Sequence, residues 1–158
     1  MIFDFDLTLF DSSPIKHLMD KRKWALVYEN IYLCSFYPYV LNMLKQLKLN
    51  NIQTAIVSNA PRSYVTKVLG FYGVKFDMIV CYYDVRQHKP NPDGINQVLK
   101  YFAIQNHEAI YVGDNDLDYQ TAVNANIDFY GVSWGNFFQK INYIEFSNLT
   151  VILKSKKK

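Results

Sequence analysis

Short apolar runs alternate along the chain with longer segments in which apolar residues recur every three or four positions. The short runs are rich in Ile, Val, Phe and Tyr, and they predict strands at residues 1–5, 53–57, 78–82, 109–112, 129–132 and 150–153. The longer segments predict helices at about 40–48, 61–70, 93–102 and 117–126. This alternation predicts an α/β fold with a doubly wound, mostly parallel sheet of five to six strands and helices on both faces.

One segment interrupts the alternation between the first and second predicted strands. Residues 14–31 predict a helix, although the apolar periodicity is imperfect around residues 21–23. We expect residues 10–36 to form a small helical insert within a single core domain that spans residues 1–153. The lysine-rich residues 154–158 are expected to form a solvated tail.

Composition narrows the class of protein. A chain of 158 residues, half of them hydrophobic, can bury a core without disulfides. Cys34 and Cys81 lie far apart in apolar surroundings, which favours buried thiols in the cytoplasm. No apolar run approaches the ~20 residues that cross a bilayer. The net charge of +3 comes largely from the terminal lysines, so a nucleic-acid surface is not indicated.

Residues suited to catalysis follow successive predicted strands at the point where each strand ends. They are Asp4 and Asp6 after the first strand, Ser58 and Asn59 after the second, and Asp114 and Asp118 after the fourth. In a doubly wound sheet these ends meet at one edge, where such folds bind ligands. We therefore expect groups distant in sequence to converge at that edge.

The first pair implies a metal. Asp4 and Asp6 leave the strand only two residues apart, and their carboxylates would repel each other without a cation nearby. Hard oxygen ligands favour Mg²⁺, and the sequence has no His/Cys cluster that would favour Zn²⁺. In phosphoryl transfer, Asp4 is suited to attack phosphorus as a carboxylate nucleophile and Asp6 to act as the general acid/base.

The remaining residues supply what phosphoryl transfer further requires, which is positioning and neutralisation of charge. Asp114 offers another carboxylate to the metal, and Lys89 offers a cation to the phosphate. Ser58 and the backbone around Asn59 offer hydrogen-bond donors at a helix start. The sequence thus predicts a phosphohydrolase.

Four motifs in order carry a resemblance to a known family. They are Asp4-Phe5-Asp6-Leu7-Thr8, Ile56-Val57-Ser58-Asn59, His88-Lys89-Pro90-Asn91-Pro92 and Gly113-Asp114-Asn115-Asp116-Leu117-Asp118. Each short motif alone is weak, but four in order at strand ends and helix starts are specific. In this respect the chain resembles the haloacid dehalogenase superfamily, in its phosphatase branch.

The resemblance implies a Mg²⁺-dependent hydrolase of phosphomonoesters that works through an aspartyl-phosphate intermediate on Asp4. It implies Mg²⁺ held by Asp4, the backbone carbonyl of Asp6 and Asp114, with Asp118 in a supporting role. It also implies that Thr8 orients Asp6. The substrate, whether small molecule or macromolecule, is left open.

The insert departs from the family pattern, because many related phosphatases carry a larger helical cap at this point. A reduced cap excludes water poorly and contacts little of a small substrate. We therefore expect catalytic carboxylates that are open to solvent, and either a larger substrate or closure of the site by homo-oligomerisation.

Other functions remain as alternatives. Within the family these are a phosphomutase and a phosphonate hydrolase, the latter with Lys16, Lys21 or Lys23 forming a Schiff base. Outside it, a receiver-type signalling module and a non-catalytic scaffold are less consistent with the four motifs. Contacts of Arg62, Arg86 or His88 with substrate are left open.

Overall fold

A six-stranded sheet forms the centre of the protein. The computed structural model describes residues 1–136 and 142–144. In this part of the chain the strands are β1 (Ile2–Phe3), β2 (Phe10–Asp11), β3 (Ser35–Phe36), β4 (Ala55–Val57), β5 (Met78–Val80), β6 (Ile110–Asn115), β7 (Asp128–Asn136) and β8 (Tyr143–Ile144). The helices are α1 (Lys16–Asp20), α2 (Trp24–Asn30), α3 (Val40–Leu49), α4 (Arg62–Phe71), α5 (Asp93–Phe102) and α6 (Asp116–Asn124).

The order of the strands determines where a ligand can bind. The sheet runs β5-β4-β1-β6-β7-β8, and every neighbouring pair is parallel. From β1 the chain winds outward to β4 and β5, then returns to the other side of β1 as β6 and continues to β7 and β8. Winding therefore reverses between β1 and β6, and such a switch point opens a crevice at the carboxyl ends of the strands.

Alternating residues of the strands pack into separate hydrophobic layers. Phe3 and Ile56 belong to the layer that also contains apolar residues of α3 and α4. Ile2 and Ala55 belong to the opposite layer, with apolar residues of α5 and α6. Each large aliphatic side chain buried in this way contributes roughly 1.5–3 kcal/mol. The predicted doubly wound α/β fold with helices on both faces is confirmed.

The elements follow the sequence pattern closely in the core. Helices α3 to α6 and five of the strands lie where the periodicity predicts them. Strand β8 was not predicted. The predicted strand at 150–153 and the solvated tail at 154–158 lie outside the described residues, and the domain boundary at residue 153 stays a prediction.

The insert differs from its prediction, because one continuous helix at 14–31 is wrong. Short helices α1 and α2 are joined by a turn in which Arg22 adopts a left-handed conformation with φ of 51°. The ends of the insert pair as the antiparallel strands β2 and β3, with Phe10 opposite Phe36. The insert therefore leaves and re-enters the core at one place.

None of the helices in residues 1–136 and 142–144 has the length and apolar character needed to span a bilayer.

Candidate active site

The catalytic candidates lie on both sides of the switch point. Asp4 follows β1, and its backbone N–H donates to the carbonyl of Val112 in β6 at 2.9 Å. Asp114 lies near the end of β6 itself. A cavity of about 330 Å³ opens here, and six of the predicted site residues line it: Asp4, Asp6, Ser58, Asn59, Lys89 and Asp114. The structure thus brings together side chains that are up to 110 positions apart in the sequence.

Lys89 is the buried cation of the site. Its Nζ donates to Asp4 Oδ1 at 2.5 Å, to Asp118 Oδ1 at 2.7 Å and to the hydroxyl of Tyr111 at 3.0 Å. The side chain is only 6 % exposed. Burial alone would lower the pKa of Lys89, but Asp118 and Asp4 outweigh burial and raise that pKa well above its ordinary value. Lys89 therefore remains charged.

Asp118 is fully buried and holds Lys89 in place. Its Oδ1 accepts from Lys89 and from Tyr111, and its Oδ2 accepts from the backbone N–H of Asp114 at 3.2 Å. Both carboxylate oxygens therefore have donors within the protein. This geometry supports a role in positioning Lys89, beside the supporting metal role expected from the sequence.

Thr8 contacts different carboxylates from the one expected. Its Oγ1 lies 3.1 Å from Asp4 Oδ2 and 3.0 Å from Asp114 Oδ1. A hydroxyl carries one hydrogen, so it donates to one of these carboxylates at a time. The expectation that Thr8 orients Asp6 is corrected: among the described residues its hydroxyl contacts the carboxylates of Asp4 and Asp114 instead.

Asp6 is oriented by Tyr64. The Tyr64 hydroxyl, presented by α4, donates to Asp6 Oδ1 at 2.8 Å. Burial raises the pKa of Asp6 to about 6, and hydrogen bonds from Tyr64 and Ser12 oppose that rise. The Tyr64 ring is fully buried and packs edge-on against Phe5, with the ring centroids 6.0 Å apart. Asp6 is thus held by a rigid donor.

The charges of the site are not balanced. Asp4, Asp114 and Asp118 each place a carboxylate oxygen within 4.8 Å of the others, and Lys89 is their shared cation. Burial, followed by Asp118, raises the pKa of Asp4 well above its ordinary value, although Lys89 opposes the rise. Burial and Asp118 also raise the pKa of Asp114, to about 6. A divalent cation with a preference for oxygen ligands fits this donor set.

Ser58 and Asn59 form the turn between β4 and α4. The Ser58 backbone N–H donates to the carbonyl of Val80 at 3.0 Å, and Ser58 Oγ accepts from the N–H of Ala60 at 3.1 Å. Asn59 Oδ1 accepts from the backbone N–H of Lys89 at 3.3 Å. These bonds connect the second and third motifs and leave the Ser58 hydroxyl hydrogen free to donate into the cavity.

The sequence left open whether Arg62, Arg86 and His88 contact the substrate. In the described part of the chain, none of the three lines the cavity. Arg62 donates to Asp84 at 2.7 Å and to the carbonyl of Ile79 at 2.6 Å, so it braces the loop after β5. His88 stacks on Tyr82, with ring centroids 3.7 Å apart. Arg86 is exposed.

The expectation that the catalytic carboxylates are open to solvent is wrong for Asp4, whereas Asp6 is half-buried. Asp4 is 5 % exposed and Asp114 is 7 % exposed. Their burial comes from within the core domain, since Lys89 and Thr8 pack directly on the Asp4 carboxylate. The insert adds to the enclosure, because part of it lines the cavity with Lys16, Met19, Asp20, Arg22 and Trp24.

Several residues of the site were missed by the sequence analysis. Tyr64 and Tyr111 occupy core positions of a helix and a strand, where the apolar pattern does not distinguish Tyr from Phe. The available signal is physical, because a buried tyrosine hydroxyl needs a hydrogen-bond partner. Arg22 and Trp24 lie just where the periodicity of the insert fails, and this irregularity was their only signal.

The chain belongs to the haloacid dehalogenase-like hydrolase family, whose sequence profile matches residues 15–132. The match begins after Asp4, Asp6 and Thr8, so the first motif is evidence independent of it.

Curated relatives carry the names of phosphatases. A phosphoglycolate phosphatase of Psychrobacter arcticus is 32 % identical over 111 residues, which cover 68 % of this chain and 48 % of that protein. A pyrophosphatase PpaX of Bacillus velezensis is 34 % identical over 104 residues, covering 65 % of this chain and 48 % of its own length. The chain spans about half the length of the curated relatives it matches.

Solved structures share the fold. A predicted phosphoglycolate phosphatase from Haemophilus somnus 129pt superposes with a TM-score of 0.84 at 19 % identity, covering 96 % of each chain. A hydrolase of the same superfamily, subfamily IA, from Geobacter sulfurreducens has a TM-score of 0.78 at 18 % identity and covers 96 % of this chain and 97 % of its own. Likeness at this identity establishes the architecture.

Proposed function

We propose that the protein is a Mg²⁺-dependent hydrolase of phosphomonoesters that works through an aspartyl-phosphate intermediate on Asp4. The observation that carries the proposal is the clamp on the Asp4 carboxylate. Lys89 donates to Oδ1, and the Thr8 hydroxyl, which Asp4 shares with Asp114, lies within hydrogen-bond distance of Oδ2. These groups lie in a cavity that Asp6 and Ser58 also line. The phosphatase names of the relatives support the same reaction class.

The clamp prepares Asp4 for in-line attack. A carboxylate fixed at both oxygens loses little conformational freedom on reaching the transition state, so positioning lowers the barrier. Lys89 opposes the rise in the pKa of Asp4 that burial causes, and so favours the anionic form that attacks phosphorus. The same ammonium and the Ser58 hydroxyl lie where they can stabilise negative charge on the transferred phosphoryl group.

Asp6 is suited to protonate the leaving oxygen and later to deprotonate the hydrolytic water. Its pKa of about 6 leaves a larger neutral fraction near neutral pH than an ordinary aspartate has. A group with a pKa near the working pH serves as acid in one step and as base in the next. Tyr64 fixes the carboxyl through its hydrogen bond to Oδ1.

Asp4, Asp114 and the backbone carbonyl of Asp6 are the residues that would hold Mg²⁺, with Asp118 in support through Lys89. Bound there, Mg²⁺ supplies charge neutralisation for the carboxylates and the phosphate. The buried excess of negative charge is the structural reason to expect a cation.

The geometry disfavours the phosphonate hydrolase. Of the candidate Schiff-base lysines Lys16, Lys21 and Lys23, only Lys16 lines the cavity. Its Nζ donates to both carboxylate oxygens of Asp20 at 2.8 Å, so this amine is already engaged within the insert. A phosphomutase would return the phosphoryl group to a sugar, and product analysis distinguishes it.

The test follows the release of phosphate from an aryl phosphate with Mg²⁺. Asp4→Asn and Asp6→Asn are each expected to lower kcat at least 100-fold, by analogy with other catalytic groups. Asp128→Asn changes the same residue type at an exposed site of β7 and should retain activity. Activity retained by Asp4→Asn would exclude the proposed nucleophile.

A second measurement addresses the intermediate. Acid quenching during turnover should trap phosphate on the wild-type chain as a species labile to hydroxylamine, as an acyl phosphate is, and peptide mapping should locate it at Asp4. Phosphate released without such a species, or located at another residue, would contradict the mechanism. Conversion of a sugar 1-phosphate into the corresponding 6-phosphate, without release of phosphate, would favour the mutase.

A further inference from the structure

The outer part of the cavity differs in chemistry from its floor. The floor consists of the carboxylates, Lys89 and the turn of Ser58. The outer part is formed by the insert and by the loop after β5, and its aromatic and cationic lining residues are Trp24, Tyr82, Tyr83, Lys16 and Arg22. None of these five residues has a role in the proposed phosphoryl transfer.

Two of the aromatic residues follow β5 directly. Tyr82 stacks on His88, with ring centroids 3.7 Å apart and planes inclined by 29°. Tyr83 contacts Tyr82 edge-on at 5.1 Å and is 83 % exposed. One face of Tyr82 is therefore occupied within the protein, while Tyr83 presents most of its ring to solvent at the cavity.

The turn that carries these tyrosines is braced. The backbone N–H of Tyr82 donates to the carbonyl of Ala60 at 3.1 Å, which ties the turn to the loop of Ser58. The N–H of Cys81 donates to Asp84 at 2.7 Å, and Arg62 donates to the same carboxylate at 2.7 Å. The backbone of this turn is thus fixed in advance, which lowers the conformational entropy lost when a ring binds to it.

Trp24 lines the cavity on the side of Asp6. Its ring lies 6.0 Å from the ring of Tyr64, the residue that donates to Asp6. Helix α2, which Trp24 begins, is also attached to α4 by a 2.6 Å hydrogen bond between Tyr28 and Ser63. Because Asp6 faces the leaving oxygen in the proposed reaction, Trp24 lies where the leaving group emerges.

Arg22 adds a positive charge to the same part of the cavity. Lys16 is paired with Asp20, whereas Arg22 has no carboxylate partner among the described residues. Its left-handed backbone conformation, with φ of 51°, is uncommon for a residue other than Gly, Asn or Asp. A guanidinium group both stacks on planar rings and donates to their acceptor atoms.

We propose that the outer part of the cavity binds a planar heteroaromatic ring, so that the substrate is a phosphomonoester whose leaving group carries such a ring. Trp24 and Tyr83 contact the ring, and Arg22 donates to its acceptor atoms. The inference rests on the proposed phosphatase activity and names its substrate class. A cavity of about 330 Å³ fits a small organic phosphate.

The test compares substrates that differ in the ring alone. Adenosine 5′-monophosphate and ribose 5-phosphate share the phosphate, the ester carbon and the sugar. Stacking a base on an aromatic side chain strengthens binding by roughly 5- to 150-fold. We therefore expect kcat/KM to be at least about 10-fold higher for adenosine 5′-monophosphate than for ribose 5-phosphate.

Variants assign the preference to named residues. Tyr83→Ala and Trp24→Ala should each reduce several-fold the ratio of kcat/KM for adenosine 5′-monophosphate to kcat/KM for ribose 5-phosphate. Tyr83→Phe retains the ring and should retain the preference. Tyr101→Ala removes an exposed tyrosine of α5 that does not line the cavity and should have no effect.

A further arm distinguishes nucleotides from compact ring phosphates. Pyridoxal 5′-phosphate carries its ring one carbon from the ester oxygen, whereas a nucleotide carries the base beyond a sugar. Preference for either compound over ribose 5-phosphate supports the inference and identifies the source of the ring. Equal kcat/KM for all three in the wild type, or a preference unchanged by both alanine variants, would overturn it.

Failure of the phosphatase proposal is detected separately. If none of these compounds is hydrolysed, the proposed function fails, and the ring site is then tested by calorimetric titration of the Asp4→Asn protein. The ring site is supported if Asp4→Asn binds adenosine 5′-monophosphate more tightly than ribose 5-phosphate. The double variant Asp4→Asn with Tyr83→Ala should then bind the two compounds equally. Equal binding of both compounds by Asp4→Asn alone would refute the ring site.

Discussion

The hydroxyl of Tyr64 donates a 2.8 Å hydrogen bond to Oδ1 of Asp6 and so joins α4 to the loop after β1. Tyr64 is fully buried, and its ring lies 6.0 Å from that of Trp24 in the insert. The proposed acid/base is therefore fixed by a residue outside the four motifs, at the junction of the core and the insert.

Tyr64→Phe tests this relationship because it removes only the donor. A hydrogen bond to an ionisable carboxyl contributes about 1.5–3 kcal/mol, so we expect kcat to fall roughly 10- to 100-fold for alkyl phosphates, which need protonation of the leaving oxygen. Aryl phosphates with acidic leaving groups need little protonation and should be affected less. An equal loss for both substrate types would indicate a purely structural role.

The half-buried Asp6 carboxyl should make stability depend on pH. Burial raises the pKa of Asp6 from 3.8 to about 6, so the folded state binds this proton more tightly than the unfolded chain does. The free energy of unfolding therefore decreases as pH rises through this interval, and the loss is complete above about pH 6.

Asp6→Asn cannot ionise and should escape that loss. In metal-free buffer we expect the free energy of unfolding of Asp6→Asn, relative to that of the wild type, to increase by about 1 kcal/mol between pH 5 and pH 8. Urea unfolding at both pH values measures this difference. Asp128→Asn serves as the control on the surface. An advantage for Asp6→Asn that does not change with pH would show that the carboxyl is not destabilised by burial.

Gly113→Ala tests how closely Asp118 packs. A Cβ at residue 113 would lie 2.4 Å from the Cβ of Asp118, so the start of α6 would have to move and Lys89 would lose its anchor. Overpacking of this kind costs about 1–3 kcal/mol, and kcat should fall with it. Gly70→Ala, with open space around it in α4, should instead stabilise the protein by about 0.5–1 kcal/mol.

The same Gly→Ala change should therefore lower the free energy of unfolding at residue 113 and raise it at residue 70. Thermal unfolding followed by circular dichroism separates the two variants, and the phosphatase assay shows whether the Gly113 variant loses activity beyond its loss of stability. A Gly113→Ala protein as stable and active as the wild type would mean that Asp118 and Lys89 tolerate displacement.

Mg²⁺ should stabilise the folded protein independently of turnover. Burial and Asp118 raise the pKa of Asp114 to about 6, because its negative charge is poorly compensated. A cation that binds there adds about 2.7 kcal/mol to the free energy of unfolding when its free concentration is 100 times its Kd. Asp114→Asn should abolish the rise of Tm with Mg²⁺ and, without metal at pH 8, should itself be more stable than the wild type.

The control for this prediction is Asp128→Asn, which should show the full rise of Tm with Mg²⁺. A rise that persists in Asp114→Asn would assign the stabilising ion to a different site. Chelation of divalent ions should also abolish hydrolysis in the wild type, and restoring Mg²⁺ should recover it.

The convergence of Asp4, Ser58 and Asp114 was predictable from the sequence because of a rule of topology. Parallel strands end at one edge of their sheet, so residues placed directly after apolar runs meet there. The apolar runs are readily recognised, since strands buried on both faces leave few polar residues within them. Knowing the strand ends was therefore sufficient to locate these residues.

Other features depend on tertiary distances that no local pattern contains. The hydroxyl of Tyr111 lies between Lys89 and Asp118, yet in sequence it is one more residue of an apolar run. Strands β2 and β3 have two residues each, which is too short for an alternating pattern. Burial of the Asp4 carboxylate likewise depends on how Lys89 packs against it.

The paired strands at the base of the insert, with Phe10 opposite Phe36, make this part of the chain replaceable in principle. Because the hairpin brings the two junctions together, segments of different length can be joined there while the sheet and its reaction chemistry stay intact. An engineer could graft lids with new lining residues at this point and select for new substrates without rebuilding the catalyst.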